Sequence, residues 1–244
     1  MLMTTIAMIP ARYAATRFPG KLMQPLGNKT VIRHTYDNTL ATGLFDEVIV
    51  VTDSAIIFDE IMNNGGKAKM SQRAHESGSD RIAEAIADMQ IDIVVNVQGD
   101  EPFIQKKPLE SLLQVFKEDK SNVVQVASLV QLLNDPALVQ DPNYVKVAVD
   151  KQMNALFFSR SAIPYPRNKE VDIPYYEHIG VYAFRKDALL QFTQWPMTPL
   201  ESAEKIECLR YLEHGIPIKM VLTEYMGVEI DTPEDLLKAA QLLS

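Results

Sequence analysis

Continuous apolar runs recur through the first hundred positions of the chain: TIAMIP (5–10), EVIVVTD (47–53) and DIVVNVQGDEP (92–102). None alternates with polar residues, so each reads as a strand covered on both faces, as in a parallel sheet. Between them the apolar spacing turns helical, over 30–43 with Gly43 placed to end the helix, over 54–64 and over 78–90. Strands alternating with helices predict an open α/β sheet with right-handed crossovers. Further on the pattern changes: VVQVASLV (123–130), YVKVAVD (144–150), ALFFS (155–159) and HIGVYAFR (178–185) follow with few helices between them. Residues 123–185 are therefore expected to form mixed or antiparallel strands, an excursion from the main sheet that exposes apolar surface around ALFFS and VYAFR. A helix over about 199–213 would align Leu200, Ala203, Ile206, Leu209 and Leu212 on one stripe, with Glu204, Cys208 and Tyr211 on another face. A last helix starts at Pro233, a good first-turn residue. No repeat or low-complexity linker interrupts the chain, which reads as one domain over 1–244.

Composition narrows the class. With 244 residues, 47% of them hydrophobic, the chain is long enough to bury a sizeable core. No apolar run approaches the roughly 20 residues of a membrane span, and the opening MLMTTIAMIPAR lacks the charged first part of a signal peptide. No membrane insertion is expected, and the cytoplasm is the default location. The single cysteine, Cys208, excludes an intramolecular disulfide and a multi-thiolate zinc site. A net charge of −8 argues against nucleic-acid binding, which needs a basic face.

That charge is unevenly placed. The first 36 residues carry five Lys or Arg and no Asp or Glu. Three of these cations, Arg12, Arg17 and Lys21, share the loop after the first strand with Gly20, where open α/β sheets bind ligands. Two guanidinium forks and an ammonium suit phosphate oxygens. Neither GxxxxGK[ST] nor GxGxxG is present, and a merely solvated basic loop is the competing reading. The third strand ends in QGDEP, where Asp100 follows a glycine at a strand's carboxyl end, a place suited to Mg²⁺; Glu101 reads more simply as a turn acid. Asp231, before the last helix, is either a second metal ligand or a helix cap, with Thr232 competing for the cap. Glu234 and Asp235 fit the helix's first turn, which favours anions.

The segments IPARYAATRFPGK, HESGSDR, NVQGDEP, NYVKVAVD, FFSRSAIPYPR, HIGVYAFR, PLESAEKIECLR and IDTPEDL occur in this order over essentially the whole chain. Together they resemble the 3-deoxy-D-manno-octulosonate (KDO) cytidylyltransferases. The resemblance implies a Rossmann-like nucleotide-diphospho-sugar transferase (GT-A-like) fold, with a mixed, mostly parallel sheet between helices and a strand-rich dimerisation excursion. It further implies CTP and KDO as substrates, Mg²⁺ as cofactor, a homodimer and a place in lipopolysaccharide synthesis. By the same resemblance Arg12 and Lys21 hold phosphates with Arg17 a third, while Ser77, Gly78, Arg81 and Gln98 bind the nucleotide. Asp100 and Asp231 match the metal aspartates. Arg160, His178, Gly180, Tyr182 and Glu207 match the sugar site. Read alone, His178 is better explained as a structural histidine than as a ligand, as are His34 and His214.

The chain departs from the family pattern in two places. Cys208 stands where LEQLR would supply a glutamine near the sugar, and Ser79 stands where SGTDR has threonine. The first change removes an amide from the expected sugar wall, and Cys208 competes there with a plain buried role. The implied reaction is in-line attack of the sugar's anomeric hydroxyl on the α-phosphate of CTP, which relies on positioning and electrostatics. The alternatives are a cytidylyltransferase for another acidic sugar, such as an amino-KDO analogue or a sialic acid, or a non-catalytic nucleotide-binding regulator. A GT-A glycosyltransferase fits less well because the D-x-D metal motif is missing from the QGDEP strand end.

Overall fold

The structure, a computed structural model, describes residues 3–14, 18–75, 77–224 and 228–243. In chain order the elements begin with β1 (Thr5–Ala11), a single 3-10 turn at Lys21–Met23, the short pair β2 (Pro25–Leu26) and β3 (Lys29–Thr30), and α1 (Val31–Ala41). There follow β4 (Glu47–Thr52), α2 (Ala55–Asn63), β5 (Ala68–Met70), α3 (Gly78–Ile86), β6 (Ile93–Asn96) and α4 (Lys106–Glu118). The second half holds β7 (Val126–Leu132), α5 (Pro136–Gln140), β8 (Lys146–Val149), β9 (Ala155–Ser159) and β10 (Tyr176–Arg185). It closes with α6 (Lys186–Phe192), α7 (Pro199–Glu204), α8 (Leu209–Glu213), β11 (Ile218–Leu222) and α9 (Pro233–Gln241). By their packing the described residues fall into two compact units, one within 1–110, 185–193 and 226–244, the other within 111–184 and 194–225.

The first unit is the predicted α/β sheet. β1 pairs in parallel with β4 on one side and β6 on the other, and β4 pairs in parallel with β5. All seven residues of β1 are buried, as a strand between two others and under helices on both faces requires. Three helices start where a side chain stands ready to cap them. Thr30, Ser54 and Ser77 accept the free backbone N–H of Arg33, Ile57 and Asp80. The helices predicted over 30–43, 54–64 and 78–90 are thus present but shorter, each ending before the periodic pattern runs out. Gly43, at φ 66°, follows the end of α1.

The second unit is strand-rich, as the change of pattern predicts. β10 runs antiparallel to β7 and to β8, β8 is antiparallel to β9, and β11 lies parallel to β7. Aromatic rings layer through its interior, with Tyr182 stacked on Phe184 and Phe184 on Tyr211. Two expectations need correction here. Val181, Ala183 and Phe184 of VYAFR are no more than 2% exposed, because both faces of β10 are covered there; of ALFFS, Leu156 faces solvent while Phe158 is fully buried. The helix predicted over 199–213 is two helices. Lys205 adopts a left-handed conformation (φ 55°, ψ 44°) that ends α7, and α8 begins only at Leu209. The stripe of Glu204, Cys208 and Tyr211 therefore does not exist.

What holds the two short helices together is a buried ion pair. Arg210 of α8 donates from Nε to Glu201 Oε2 at 2.7 Å and from a terminal nitrogen to Oε1 at 2.5 Å. Both side chains are at most 8% exposed, and Arg210 also donates to the Trp195 carbonyl. Removing one partner would strand a buried charge. Arg210→Ala is expected to lower unfolding free energy by about 3–5 kcal/mol, while the apolar double variant Glu201→Leu with Arg210→Met loses less. Denaturant titrations of the two proteins check the order.

Candidate active site

Most of the residues assigned to the nucleotide gather at one place in the first unit. A cavity of about 260 Å³ is lined by Arg12 and Lys21 from the first loop, Ser77, Gly78 and Arg81 from the start of α3, and Gln98, Gly99 and Asp100 from the end of the third strand. Pro10, Leu22 and His75 complete the lining. Arg17 lies outside the described residues.

Two glycines shape this place. Gly20 sits at φ 68°, a conformation that costs glycine little, and turns the loop into the 3-10 turn that carries Lys21. At Gly99 a Cβ would come within 3.2 Å of both Ile32 Cδ1 and the Pro10 carbonyl oxygen, and 3.3 Å of Leu22 Cδ1. A side chain there would press on those neighbours, and the glycine leaves the backbone before Asp100 open to the cavity.

The side chains at the cavity divide between structure and ligand. Ser77 accepts from Asp80 N–H and donates to Asp80 Oδ2, so its hydroxyl is engaged as a helix cap. Arg81 donates to the Ala11 carbonyl at 2.9 Å and to Asp53 at 2.7 Å, which fixes the end of β1 where the loop departs. His75, given no role by the sequence, has its Nε2 3.0 Å from Glu84, a residue that also accepts the Gln72 N–H. Burial raises the pKa of Glu84, but these partners and Arg73 outweigh it and hold the carboxyl below the usual range. Arg12 is exposed.

Asp100 and Asp231 are brought side by side. The backbone N–H of Ile230 donates to the Asp100 carbonyl at 3.0 Å, tying the segment before α9 to the QGD turn. Between the two carboxylates stands Lys21, whose Nζ donates to Asp100 Oδ2 at 2.5 Å and to Asp231 Oδ1 at 2.7 Å. Burial works against this ammonium, but the two carboxylates more than compensate and raise its pKa above the ordinary lysine value. A third carboxylate, Glu229, belongs to the same group: oxygens of Asp100, Glu229 and Asp231 lie within 4.8 Å of one another. Although its side chain keeps some open surface, crowding by its surroundings and the charges of Asp100, Asp231 and Glu101 push the Glu229 pKa up to about 8. Glu229 is absent from the sequence reading. The signal was there, since in an extended segment residues two apart share a face, and Glu229 stands two before Asp231.

The cap question at α9 has a structural answer. Thr232 accepts from Asp235 N–H, and Asp235 accepts in return from Thr232 N–H, a reciprocal box that leaves the Asp231 carboxylate for Lys21.

The residues assigned to the sugar lie in the second unit. His178, Gly180 and Tyr182 are on β10, where the register with β7 shifts between Ile179 and Tyr182. That irregularity turns two carbonyls, Ile179 and Val181, towards Ser128 Oγ, 3.1 and 2.9 Å away. His178 Nε2 stands 3.1 Å from the same Oγ. The imidazole packs edge-on against Phe158 and beside Tyr182, and burial lowers its pKa to about 4. Arg160 donates from Nε to the Glu204 carbonyl and from a terminal nitrogen to that of Pro142, while the Glu204 carboxylate accepts from Ser159 and the Arg160 N–H. Glu207 lies in the turn between α7 and α8. Cys208 precedes α8, is only 2% exposed and has its thiol bonded to Tyr182. Burial pushes that thiol well up, so it is a neutral, enclosed group rather than an open wall. Lys146, fully buried and unassigned by the sequence, donates to the carbonyls of Asp141 and Tyr144.

Two outcomes follow from these contacts. Asp231→Asn should leave the melting temperature within a degree or so of the parent, whereas Thr232→Ala should cost about 1 kcal/mol through loss of the cap; thermal unfolding of both separates ligand from cap. For His178 the folded pKa of about 4 lies below the unfolded value of about 6.5, so the unfolded chain binds the extra proton. Its contribution to stability is full above pH 6.5 and is lost as pH falls towards 4. His178→Gln should flatten that part of the stability–pH curve, and an unchanged slope would refute the buried neutral ring.

The chain matches the family model described as cytidylyltransferase over residues 6–221. It is 58% identical over 241 residues to the 3-deoxy-manno-octulosonate cytidylyltransferase of Flavobacterium johnsoniae, covering 99% of both chains. It is 57% identical over 239 residues to that of Christiangramia forsetii, covering 98% of this chain and 96% of the relative. Among solved structures, CMP:2-keto-3-deoxy-manno-octonic acid synthetase complexed with CTP superposes with a TM-score of 0.93 at 39% identity, covering 98% of each chain. The 4-diphosphocytidyl-2C-methyl-D-erythritol synthase of Anaerococcus prevotii, at 19% identity and TM-score 0.65 over 99% of this chain and 98% of its own, shares the fold. With a cavity of cations and acids at the strand ends, and with these likenesses along almost its full length, the chain belongs to the cytidylyltransferase family, among the 3-deoxy-manno-octulosonate cytidylyltransferases.

Proposed function

We propose that the protein transfers CMP from CTP to the anomeric hydroxyl of KDO, giving CMP-KDO and pyrophosphate for lipopolysaccharide synthesis. The observation that carries this reading is the cavity in which Arg12 and Lys21 meet Asp100, in a chain 58% identical to a KDO cytidylyltransferase. Arg12, exposed at the cavity, supplies a two-point fork for phosphate oxygens. Lys21 reaches the β- and γ-phosphates as a point charge, and the bare backbone at Gly99 lets the nucleotide come close. The sugar hydroxyl attacks the α-phosphorus, the bond to the β-phosphate oxygen breaks, and pyrophosphate carries the electron pair away while the hydroxyl proton passes to solvent. In the second unit this reading assigns Arg160, His178, Gly180, Tyr182 and Glu207 to the acidic sugar.

Mg²⁺ is the cofactor of this reading. The three converging carboxylates are hard oxygen donors, the type that ion takes, and no nitrogen or sulfur ligand stands among them. When bound by Asp100 and Asp231 it supplies positive charge to the phosphate being transferred. A homodimer is the assembly of this reading, supported by Leu132 and Leu156, which are 46% and 62% exposed on the strand-rich unit. Among the described residues no helix is long and apolar enough to cross a membrane, and use of CTP places the work in the cytoplasm.

Pyrophosphate release with each nucleoside triphosphate, crossed against KDO, an amino-KDO analogue and a sialic acid, is expected to be fastest for CTP with KDO. Asp100→Asn keeps the shape and removes the charge, so kcat/KM should fall by about a hundredfold or more while the circular dichroism spectrum is kept. Preference for another triphosphate, or near-normal turnover of Asp100→Asn at saturating Mg²⁺, would overturn the reading.

A further inference from the structure

Lys21 occupies a position that two different cations have reason to claim. Its Nζ is 2.5 Å from Asp100 Oδ2 and 2.7 Å from Asp231 Oδ1, and its side chain is only 13% exposed. Mg²⁺ held by Asp100 and Asp231 would have to take carboxylate oxygens that the ammonium now engages, so the two cations compete for the same ligands. The third carboxyl group, Glu229, converges on the same place, with an oxygen within 4.8 Å of those of Asp100 and Asp231. Lys21 is well suited to a temporary hold: its charge rides on a flexible four-carbon stem, directly after a glycine in the left-handed region. It also lines the cavity that it shares with Arg12, where phosphate oxygens offer it an alternative partner.

We infer that Lys21 is a built-in stand-in for the metal, which must leave Asp100 and Asp231 before a divalent ion can bind there. The inference rests on the reading of this site as a metal-assisted nucleotidyl transfer site. It gives Lys21 two partners in sequence, the carboxylates first and the triphosphate afterwards. Phosphate groups entering the cavity draw the ammonium away and uncover the two aspartates, so the metal loads together with the nucleotide and not before it. Without nucleotide the acids stay neutralised by the chain itself, and the site keeps its shape whatever the concentration of free divalent ion.

The test is binding of Mn²⁺ alone, without nucleotide, followed by electron paramagnetic resonance on the full chain. Lys21→Met keeps the length of the side chain and removes its charge, and Lys21→Gln is a second variant should the first fold poorly. Both should bind Mn²⁺ at least about tenfold more tightly than the parent protein, since a unit charge in direct contact with the ligands has been removed. Adding Asp100→Asn to either should abolish the gain. Mn²⁺ should also raise the melting temperature of the Lys21 variants and leave that of the parent almost unchanged. Equal or weaker Mn²⁺ affinity in both variants would overturn the inference, as would a gain that survives Asp100→Asn. Both readouts are independent of turnover, so a failure of CMP transfer to KDO would leave them standing.

Discussion

The ammonium of Lys21, held between the carboxylates of Asp100 and Asp231, is the contact on which the arrangement of the first unit's site depends. Oxygens of three carboxylates converge there within 4.8 Å, and like charges at that separation repel by roughly 3–4 kcal/mol per pair at an effective dielectric of about 20. One cation placed among them turns repulsion into mutual attraction. The effect is visible from both sides: Lys21 holds its proton more firmly than an ordinary lysine, whereas Glu229, left outside the direct pairing, has its pKa pushed up to about 8.

The meeting of these groups is arranged by the backbone. Lys21 is 79 residues from Asp100 and 210 from Asp231 along the chain. The parallel strands β1 and β6 deliver the first loop and the QGD turn to the same edge, and the Ile230 N–H bond to the Asp100 carbonyl brings in the third segment. Over Glu229–Asp235 the acids then divide the work by position. Asp235 closes the capping box with Thr232, so Asp231 is not needed at the helix and its carboxylate goes to Lys21. The cations of the first loop and the acids of the QGD turn and of Glu229–Asp235 thus meet at one edge of the sheet.

The second unit treats charge in the opposite way, by enclosing it. Its buried guanidinium, Arg210, faces a carboxylate, its buried ammonium, Lys146, is met by two carbonyls, and burial keeps His178 neutral beside the Ser128 hydroxyl. Such groups are rigid because every alternative leaves a polar atom unpaired in the interior.

The sequence by itself determined the parallel α/β start and the strand-rich later part, and it singled out the cationic first loop, Asp100 and Asp231, which the fold brings together. These are legible because burial on two faces leaves continuous apolar runs, and because the ordered motifs belong to a family whose activity is known. Thr232 was legible as a rival cap for the same reason, a local side chain reaching a local N–H. What only the tertiary structure decided were the matters that depend on distant partners. Glu229 gains its place from a backbone bond to the QGD turn; Ser77 and Arg81 have their polar groups taken up by Asp80, Ala11 and Asp53. The break at Lys205 cannot be read from a periodicity that continues across it: the residue's left-handed turn ends α7, and the Glu201–Arg210 pair, nine residues apart, joins the two helices on either side. Hydrophobic period records which face is buried. It does not record which buried polar group will find which partner, and that pairing decides the chemistry.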